Sequence, residues 1–200
     1  MKDVYKRQAI IAEKNKSPLC DDTGIPHVVL DIGKDAYFTG KMIELIDEGI
    51  AQGLRALPGR PMAVKGDDYH RIDQSMGIEE DSGALLSAPY LIRKIDGDKI
   101  KLNVLMFGGG PAIRGKTYRI FHKHSVETFL DEIISWSVDA TKMLGCTPCT
   151  LAVGVGRSHY EATSMMLQAL VDGSYDVQNE LERKITERVN MEGVGTLRCV

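Results

Sequence analysis

The sequence predicts a mixed α/β fold in which helices pack on a central sheet that contains antiparallel pairs. Short apolar segments typical of strands alternate with longer segments whose apolar residues recur with the helical period. An Asp-Gly turn at 96–98 lies between two of the strand-like segments, as in antiparallel hairpins. The 200 residues suffice for one good-sized domain, and we expect a single domain over 1–200.

The first half of the chain is expected to alternate helices and strands. Residues 2–16 are compatible with a helix, and 26–32 form an apolar run that is typical of a buried strand. A helix with a broad apolar stripe is predicted over 39–54, followed by proline and glycine residues that end it. The polar segment 62–87, which contains several glycines, predicts a long irregular loop.

The clearest pair of strands is expected at 90–95 and 99–107. Asp-Gly sequences favour tight hairpin turns because the central residues of these turns take positive φ angles. We therefore predict that the two strands are antiparallel neighbours joined by the turn at 96–98. The second strand runs directly into three glycines at 108–110.

The second half of the chain is expected to contain three helices and two short strands. Ser125 and Ser158 each precede a helical pattern, and serine is a preferred N-cap residue. Glu161 completes the S-x-x-E spacing of a capping box with Ser158. The predicted order is strand 116–121, helix 125–144, strand 151–155, helix 158–170 and helix 176–190.

Composition restricts the class of protein. Apolar residues make up 43% and charged residues 26% of the chain, as in soluble globular proteins. A formal net charge of −3 does not predict a nucleic-acid partner. No membrane span is predicted, and the N-terminus lacks the apolar core of a signal peptide. We expect a cytoplasmic protein whose four cysteines are thiols or metal ligands rather than disulfides.

Three segments concentrate residues that build catalytic or binding sites. PLCDDTG (18–24) combines a thiol, two carboxylates, a hydroxyl and a glycine, which is typical of a metal-dependent catalytic loop and also of a capped turn. The triple glycine 108–110 exposes N–H groups that can bind a carboxylate, or it simply reverses the chain. Cys146 and Cys149 form a C-x-x-C, and GVG (154–156) before a helix is a second candidate anion site.

These segments resemble, in the same order, three motifs of class I fumarases and L-tartrate dehydratase α subunits. PLCDDTG is similar to the P-x-C-Q-D-T-G loop of that family, and GGGPAIRGK (108–116) to its triple-glycine stretch. TPCTLAVGVG (147–156) is similar to its N-P-C-P-P-x-x-V-G-V-G segment. The resemblance extends over residues 9–200 and implies a [4Fe-4S] hydro-lyase. Such an enzyme adds or removes water at a small dicarboxylic hydroxy acid of the fumarate/malate or tartrate type.

The resemblance implies two cluster ligands in this sequence. In the family, three cysteine thiolates hold three irons, and the open fourth iron acts as a Lewis acid. Cys20 matches the first of these cysteines and Cys149 the second, with Cys146 as the alternative to Cys149. The third ligand is expected beyond Val200.

The resemblance also implies which residues act on the substrate. Asp22 takes the acid/base position of the family, with Thr23 beside it as a second catalytic residue. The substrate-binding positions that match are Asp21, Arg60, Gly109 and Gly110. Asp21 stands where the family has Gln, so we expect either a different substrate or a side chain that points away from it.

The resemblance finally implies a longer protein than these 200 residues. We expect a chain truncated at both ends and inactive by itself, because its cluster site lacks a ligand. The expected partners are the dicarboxylate and a second subunit or C-terminal domain of the same enzyme, within a homo- or hetero-oligomer. The alternative function is a non-catalytic iron–sulphur or thiol redox protein on the same domain, with Cys146 and Cys149 as its thiol pair.

Overall fold

The computed structural model describes residues 2–17, 24–57, 59, 61–107, 117–143, 149–174 and 177–193. Its elements are, in order, α1 (Lys2–Asn15), β1 (Ile25–Gly33), α2 (Gly40–Ala56), α3 (Asp68–Asp73), a 3₁₀ turn (Ser82–Ala84), β2 (Leu91–Ile95), β3 (Ile100–Phe107), α4 (Val126–Lys142), α5 (His159–Asp172) and α6 (Glu180–Met191). The predicted mixed α/β class is confirmed, because these helices accompany a sheet with both parallel and antiparallel pairs.

The chain separates into two compact units, Met1–Ile113 and Arg114–Val200. The first unit contains the three described strands with α1, α2 and α3, and the second contains α4, α5 and α6. The single domain expected over 1–200 stays a prediction. Among the described residues, no helix is both long and apolar enough to cross a membrane.

The sheet of the first unit has the strand order β2-β1-β3. The central strand, β1, is parallel to β2 and antiparallel to β3. The predicted hairpin between β2 and β3 is therefore wrong, because β1 lies between them. Neighbouring strands are about 4.8 Å apart, so the connection from β2 to β3 must span roughly twice that distance.

This connection crosses the end of β1 at Gly33. The N–H of Gly33 donates to the carbonyl of Lys99 (2.8 Å), and the N–H of Asp35 donates to the carbonyl of Gly97 (3.0 Å). A Cβ atom on Gly33 would lie 2.3 Å from the oxygen of Gly97, so the crossing requires glycine at this position. Gly97 has the positive φ (+86°) expected of the Asp-Gly turn, although the turn serves a crossing instead of a hairpin.

The middle of β1 is buried on both faces and carries an ion pair. Val28, Val29 and Leu30 are at most 1% exposed, and Asp31 is 2% exposed. The guanidinium of Arg93 in β2 donates two hydrogen bonds to the carboxylate of Asp31, one of 2.8 Å. This guanidinium holds the pKa of the Asp31 carboxyl below its ordinary value.

The segment 62–87 is more regular than the sequence predicted, and the expectation of an irregular loop is wrong in part. Asp67 begins α3 and Asp81 begins the 3₁₀ turn, and each carboxylate accepts backbone hydrogen bonds as an N-cap. Arg55 of α2 donates two hydrogen bonds of 2.8 Å to Asp81, which ties the segment to α2. Asp67 and Asp81 are therefore cap residues of short helical turns within the segment that was expected to be irregular.

In the second unit, α4 and α6 pack around an apolar cluster composed of Leu130, Ile133, Ile134, Val138, Ile185 and Val189. The predicted N-caps are confirmed, because Ser125 accepts a hydrogen bond from the N–H of Thr128 and Ser158 accepts one from that of Glu161. Asn179 begins α6 with a complete capping box, a few residues later than expected.

The two strands predicted in the second unit are wrong over the residues that the structure describes. Neither 117–121 nor 151–155 is assigned to a strand. Several of their side chains pack on helices instead. The ring of Tyr118 stacks on Trp136 of α4 with 4.0 Å between ring centroids, and Leu151 contacts the apolar cluster. A period-two pattern therefore indicates extended chain but does not specify a partner strand.

We predict that Asp31→Asn lowers the free energy of unfolding by about 3–5 kcal/mol, because it removes the buried carboxylate that neutralises the guanidinium of Arg93, whose side chain is 17% exposed. The control Asp96→Asn should cost less than about 1 kcal/mol, since Asp96 is 97% exposed in its pair with Lys34. Chemical denaturation of both variants measures the difference. Similar losses in the two variants would contradict a stabilising role for the buried pair.

The same pair predicts a pH dependence. The folded-state pKa of Asp31 is lowered, so its contribution to stability is fully present above the unfolded-state pKa of about 3.9. That contribution should be lost as the pH falls from the unfolded-state pKa through the lower folded-state pKa of Asp31. Denaturation curves between pH 7 and pH 2 should show an acid-dependent loss in the parent protein that is smaller in Asp31→Asn.

Candidate functional site

Of the predicted site residues, the structure describes Cys149. The others lie outside the described residues, and their roles stay predictions: Cys20, Asp21, Asp22, Thr23, Arg60, Gly109, Gly110 and Cys146. The geometry of the site therefore rests on the described residues that adjoin these segments.

The residues that anchor the first two motifs are neighbours in the sheet. PLCDDTG ends at Gly24, immediately before β1, and the triple glycine follows Phe107 at the end of β3. In the antiparallel pairing of the two strands, Ile25 lies opposite Phe107. Directly opposed residues of such a pair have Cα atoms about 4.5–5.5 Å apart. The fold thus brings together the anchors of two segments that are 84 positions apart in sequence, counted from 24 to 108.

Gly24 is glycine for two separate reasons. Its φ angle is +87°, in the left-handed region that residues with a Cβ atom rarely adopt. It is also buried, and a Cβ atom would lie 2.9 Å from the carbonyl carbon of Phe107 and 3.0 Å from that of Met106. The backbone at the end of PLCDDTG is therefore fixed directly against the end of β3.

His27, which the sequence analysis did not assign to the site, extends this junction. Its ring contacts Phe107 edge to face, with centroids 4.5 Å apart and an interplanar angle of 70°. The Nδ1 atom lies 3.0 Å from the carbonyl oxygen of Ile25, so it donates when it carries the proton. In the neutral ring, Nε2 is then the acceptor. The sequence could have identified His27, because this histidine lies three residues after Gly24, on the strand that begins at Ile25.

Cys149 lies in the second unit, half-buried against the apolar cluster of α4 and α6. Leu151 and Val153 contact the same cluster, so alternate residues of this extended segment face the helices. The thiol that matches the third motif is thus held beside aliphatic side chains. Among the described residues, no group of three or more His, Cys, Asp or Glu side chains could hold a metal ion.

The glycines of GVG have a packing role. A Cβ atom on Gly154 would lie 1.9 Å from the carbonyl oxygen of Ala162 in α5. One on Gly156 would lie 2.4 Å from the nitrogen of Ala162. The segment therefore lies directly on the first turns of α5, which only residues without a side chain allow.

The start of α5 already has a negative group. The carboxylate of Glu161 accepts hydrogen bonds from the backbone and the guanidinium of Arg157, which lower the pKa of Glu161 to about 2. Glu161 is thus ionised near the helix N-terminus that was a candidate anion site. This carboxylate already accepts from the backbone N–H and the guanidinium of Arg157, which are donors that an anion would need, so the geometry favours packing over anion binding for GVG.

Two comparisons with known proteins agree with the family resemblance of the sequence. The model of the family described as fumarate hydratase (Fumerase) matches residues 3–198. The chain is also 24% identical over 198 residues to a putative L(+)-tartrate dehydratase subunit alpha of Methanocaldococcus jannaschii. That alignment covers 94% of this chain and 66% of the relative, so the chain spans slightly less than two thirds of the length of the relative.

We predict that Gly24→Ala destabilises the protein more than Gly77→Ala does. Both glycines have similar φ angles (+87° and +80°), but a Cβ atom on Gly77 would meet nothing within 4 Å. The shared strain should cost about 1–2 kcal/mol. The contact with β3 should add about 1–3 kcal/mol to the Gly24 variant alone. Equal changes in the free energy of unfolding would show that the close approach to Phe107 is not a constraint.

Proposed function

Because the chain belongs to the fumarate hydratase family, we propose that it is the catalytic part of a [4Fe-4S]-dependent hydro-lyase. The proposed reaction reversibly adds water to, or removes it from, a small dicarboxylic acid. The observation that supports it best is the family match over 3–198, which includes all three motif segments. The pairing of Ile25 with Phe107 adds support, since it makes the anchors of two of these segments neighbours.

The donor types fit an iron–sulphur cluster. Thiolates hold such clusters in proteins, and Cys20 and Cys149 are the proposed ligands, with Cys146 as the alternative to Cys149. The aliphatic side chains beside Cys149 would limit access of water to a bound thiolate. We propose that the third ligand comes from outside residues 1–200. The bound cluster would supply a Lewis acid to the substrate hydroxyl.

The proposed proton transfer rests on Asp22. In the dehydration direction, its carboxylate would accept a proton from the carbon next to a substrate carboxylate while the hydroxyl on the neighbouring carbon leaves as hydroxide. That proton and the hydroxide together make up the water released. In the hydration direction, it would return that proton. Thr23 is the proposed second catalytic residue. Both precede Gly24, whose backbone is fixed against β3, so the acid/base residue adjoins a rigid part of the fold.

Substrate binding is proposed for Arg60 and for the N–H groups of Gly109 and Gly110. A guanidinium and backbone N–H groups are strong donors to carboxylates. Asp21 replaces the Gln of the family motif, and an ionised carboxylate only accepts hydrogen bonds. It would repel a substrate carboxylate but accept from a substrate hydroxyl. This favours a dihydroxy acid of the tartrate type over fumarate, in agreement with the printed name of the relative.

The proposed setting is a larger assembly in the cytoplasm. The relative is named a subunit, and this chain covers 66% of its length. We propose that a second subunit, or a C-terminal domain of the same protein, completes the substrate site with further basic residues. The reducing conditions of that compartment would keep the four cysteines as thiols or ligands.

The test uses the full-length protein and its partner subunit, purified without oxygen. We expect about four irons per chain, a broad absorbance near roughly 400 nm, and hydro-lyase turnover of L-tartrate or malate. A colourless, iron-free protein would contradict the cluster. A coloured protein that does not act on any dicarboxylate, with a measurable disulfide potential for Cys146 and Cys149, would support the redox alternative.

We predict that Cys20→Ser and Cys149→Ser each abolish both cluster retention and turnover. Cys146→Ser is the matched control in the same segment, and it should retain both, because Cys149 is the proposed ligand. Iron content and absorbance measure retention. Loss of iron in Cys146→Ser with retention in Cys149→Ser would transfer the ligand role to Cys146.

Asp22→Asn should keep the cluster and lower kcat by about 10²–10⁴-fold, the usual range for loss of general acid–base catalysis. The amide keeps the size of the side chain but does not accept the proton. Asp21→Asn is the neighbouring control, and it should change KM more than kcat. Equal kcat values for Asp22→Asn and the parent would remove Asp22 from the acid/base role.

A further inference from the structure

His27 is a polar side chain that the proposed mechanism does not use. It lies three residues after Gly24, where PLCDDTG ends, and its half-buried ring contacts Phe107, after which the triple glycine begins. The strand that carries His27 therefore starts at one motif segment, and the residue that its ring contacts adjoins another. Such a side chain can control how the two segments are placed relative to each other.

The contact between the two rings follows from the register of β1 and β3. Ile25 lies opposite Phe107, and His27 lies opposite Leu105. His27 and Phe107 are therefore diagonal neighbours on one face of an antiparallel pair, a separation that aromatic side chains can span. Their ring centroids are 4.5 Å apart in an edge-to-face arrangement, which is a favourable geometry for aromatic rings.

A hydrogen bond fixes the His27 ring over the seam between β1 and β3. Its Nδ1 atom lies 3.0 Å from the carbonyl oxygen of Ile25. Every second residue of an antiparallel strand directs its N–H and C=O groups to the same neighbouring strand. The N–H of Gly33 donates to Lys99, which directly precedes β3, and Ile25 is an even number of residues earlier, so its carbonyl also points towards β3. Nδ1 carries a proton both in one neutral tautomer and in the cation, so this bond does not require a charged ring.

The other edge of β1 provides less support at this end of the strand. The pairing with β2 begins only where Leu91 lies opposite Val29, well after the start of β1 at Ile25. Pro26 has no N–H to donate to that edge. Its carbonyl accepts a hydrogen bond of 2.8 Å from the N–H of Ala88. The start of β1 therefore depends more on its contacts with β3 than the middle of the strand does.

We propose that His27 is a positioning residue for the hydro-lyase reaction. Its hydrogen bond to Ile25 and its ring contact with Phe107 hold the start of β1 against the end of β3. This keeps the acid/base position at Asp22 aligned with the N–H groups of the triple glycine, which bind a substrate carboxylate in the proposed site. The inference rests on the proposed function and adds to it a residue that lies outside the three motif segments.

The first test measures turnover by the full-length protein with its partner subunit. His27→Leu keeps an apolar side chain that suits a strand but removes the hydrogen bond and the aromatic ring. It should lower kcat/KM for the dicarboxylate about 10–100-fold at unchanged iron content, because a misplacement of about 1 Å can cost about 100-fold in rate. His27→Phe keeps the ring contact and His27→Asn keeps a donor near the place of Nδ1, so each should restore part of the loss.

Asn103→Ala is the matched control within the same pair of strands. The Nδ2 atom of Asn103 in β3 donates a hydrogen bond of 3.1 Å to the carbonyl of Val29, in the middle of β1 and away from the motif segments. The control should lower the stability of the protein without changing kcat/KM. An equal loss of kcat/KM in Asn103→Ala would show that the effect comes from a general loosening of the sheet, which would overturn the proposal.

Hydrogen exchange followed by mass spectrometry separates the role of His27 from the proposed chemistry, because it requires no turnover. His27→Leu should speed the exchange of backbone amides in peptides covering 18–24 and 108–113 by about threefold or more, whereas Asn103→Ala should not. Faster exchange in His27→Leu, together with a parent protein that does not act on any dicarboxylate, would refute the proposed function while supporting the link between the two segments.

Two results for His27 itself would overturn the proposal. The first is an unchanged kcat/KM in His27→Leu, or unchanged exchange in both segments. The second is full activity in His27→Gln combined with loss of activity in His27→Asn. Glutamine places its polar group near the position of Nε2, so this second result would mean that the ring acts on the substrate directly and does not position the strands.

Discussion

The first unit depends on the place of β1 between two partner strands. Because β1 pairs on both edges and is buried on both faces, its central residues have to be apolar or fully paired. Asp31 satisfies this requirement through Arg93, one strand away. The same pairing register sets Ile25 opposite Phe107 and thereby makes neighbours of two segments that the sequence separates. The geometry near the candidate site is thus a consequence of how the sheet is paired.

Local features of the fold were predictable where local physics decides them. Ser125 and Ser158 were identified as N-caps because a side-chain oxygen and a nearby N–H suffice to begin a helix. The order of the strands was not predictable, because the Asp-Gly turn gives no information about a third strand far away in the chain. That strand, β1, ends at Gly33, 58 positions before β2 begins at Leu91. The segment containing Leu151 shows the same limit, since its alternation is satisfied by helices.

The candidate site, like the fold, was predictable only in part from the sequence. The motif order identified the family, and the comparisons agree with it, because the residue types in PLCDDTG and TPCTLAVGVG carry the resemblance directly. The close packing of Gly24 against Phe107 and of Gly154 against α5 was not predictable, since each depends on backbone from another part of the chain. These contacts explain the glycines at 24, 154 and 156, which let two pieces of backbone touch. The anion-binding role of the triple glycine 108–110 stays a prediction.

The crossing at Gly33 has a consequence for how the chain acquires its structure. The strands β2 and β3 are close in sequence and joined by residues suited to a tight turn, so a hairpin between them would close a much shorter loop than the pairing of either strand with β1. Such a hairpin would be non-native and would have to open to admit β1. It would then be a kinetic competitor to the sheet, and β1 is synthesised before both of its partner strands. A chaperone that shields β1, or slow translation before β2, would change the yield of folded protein without changing its final stability.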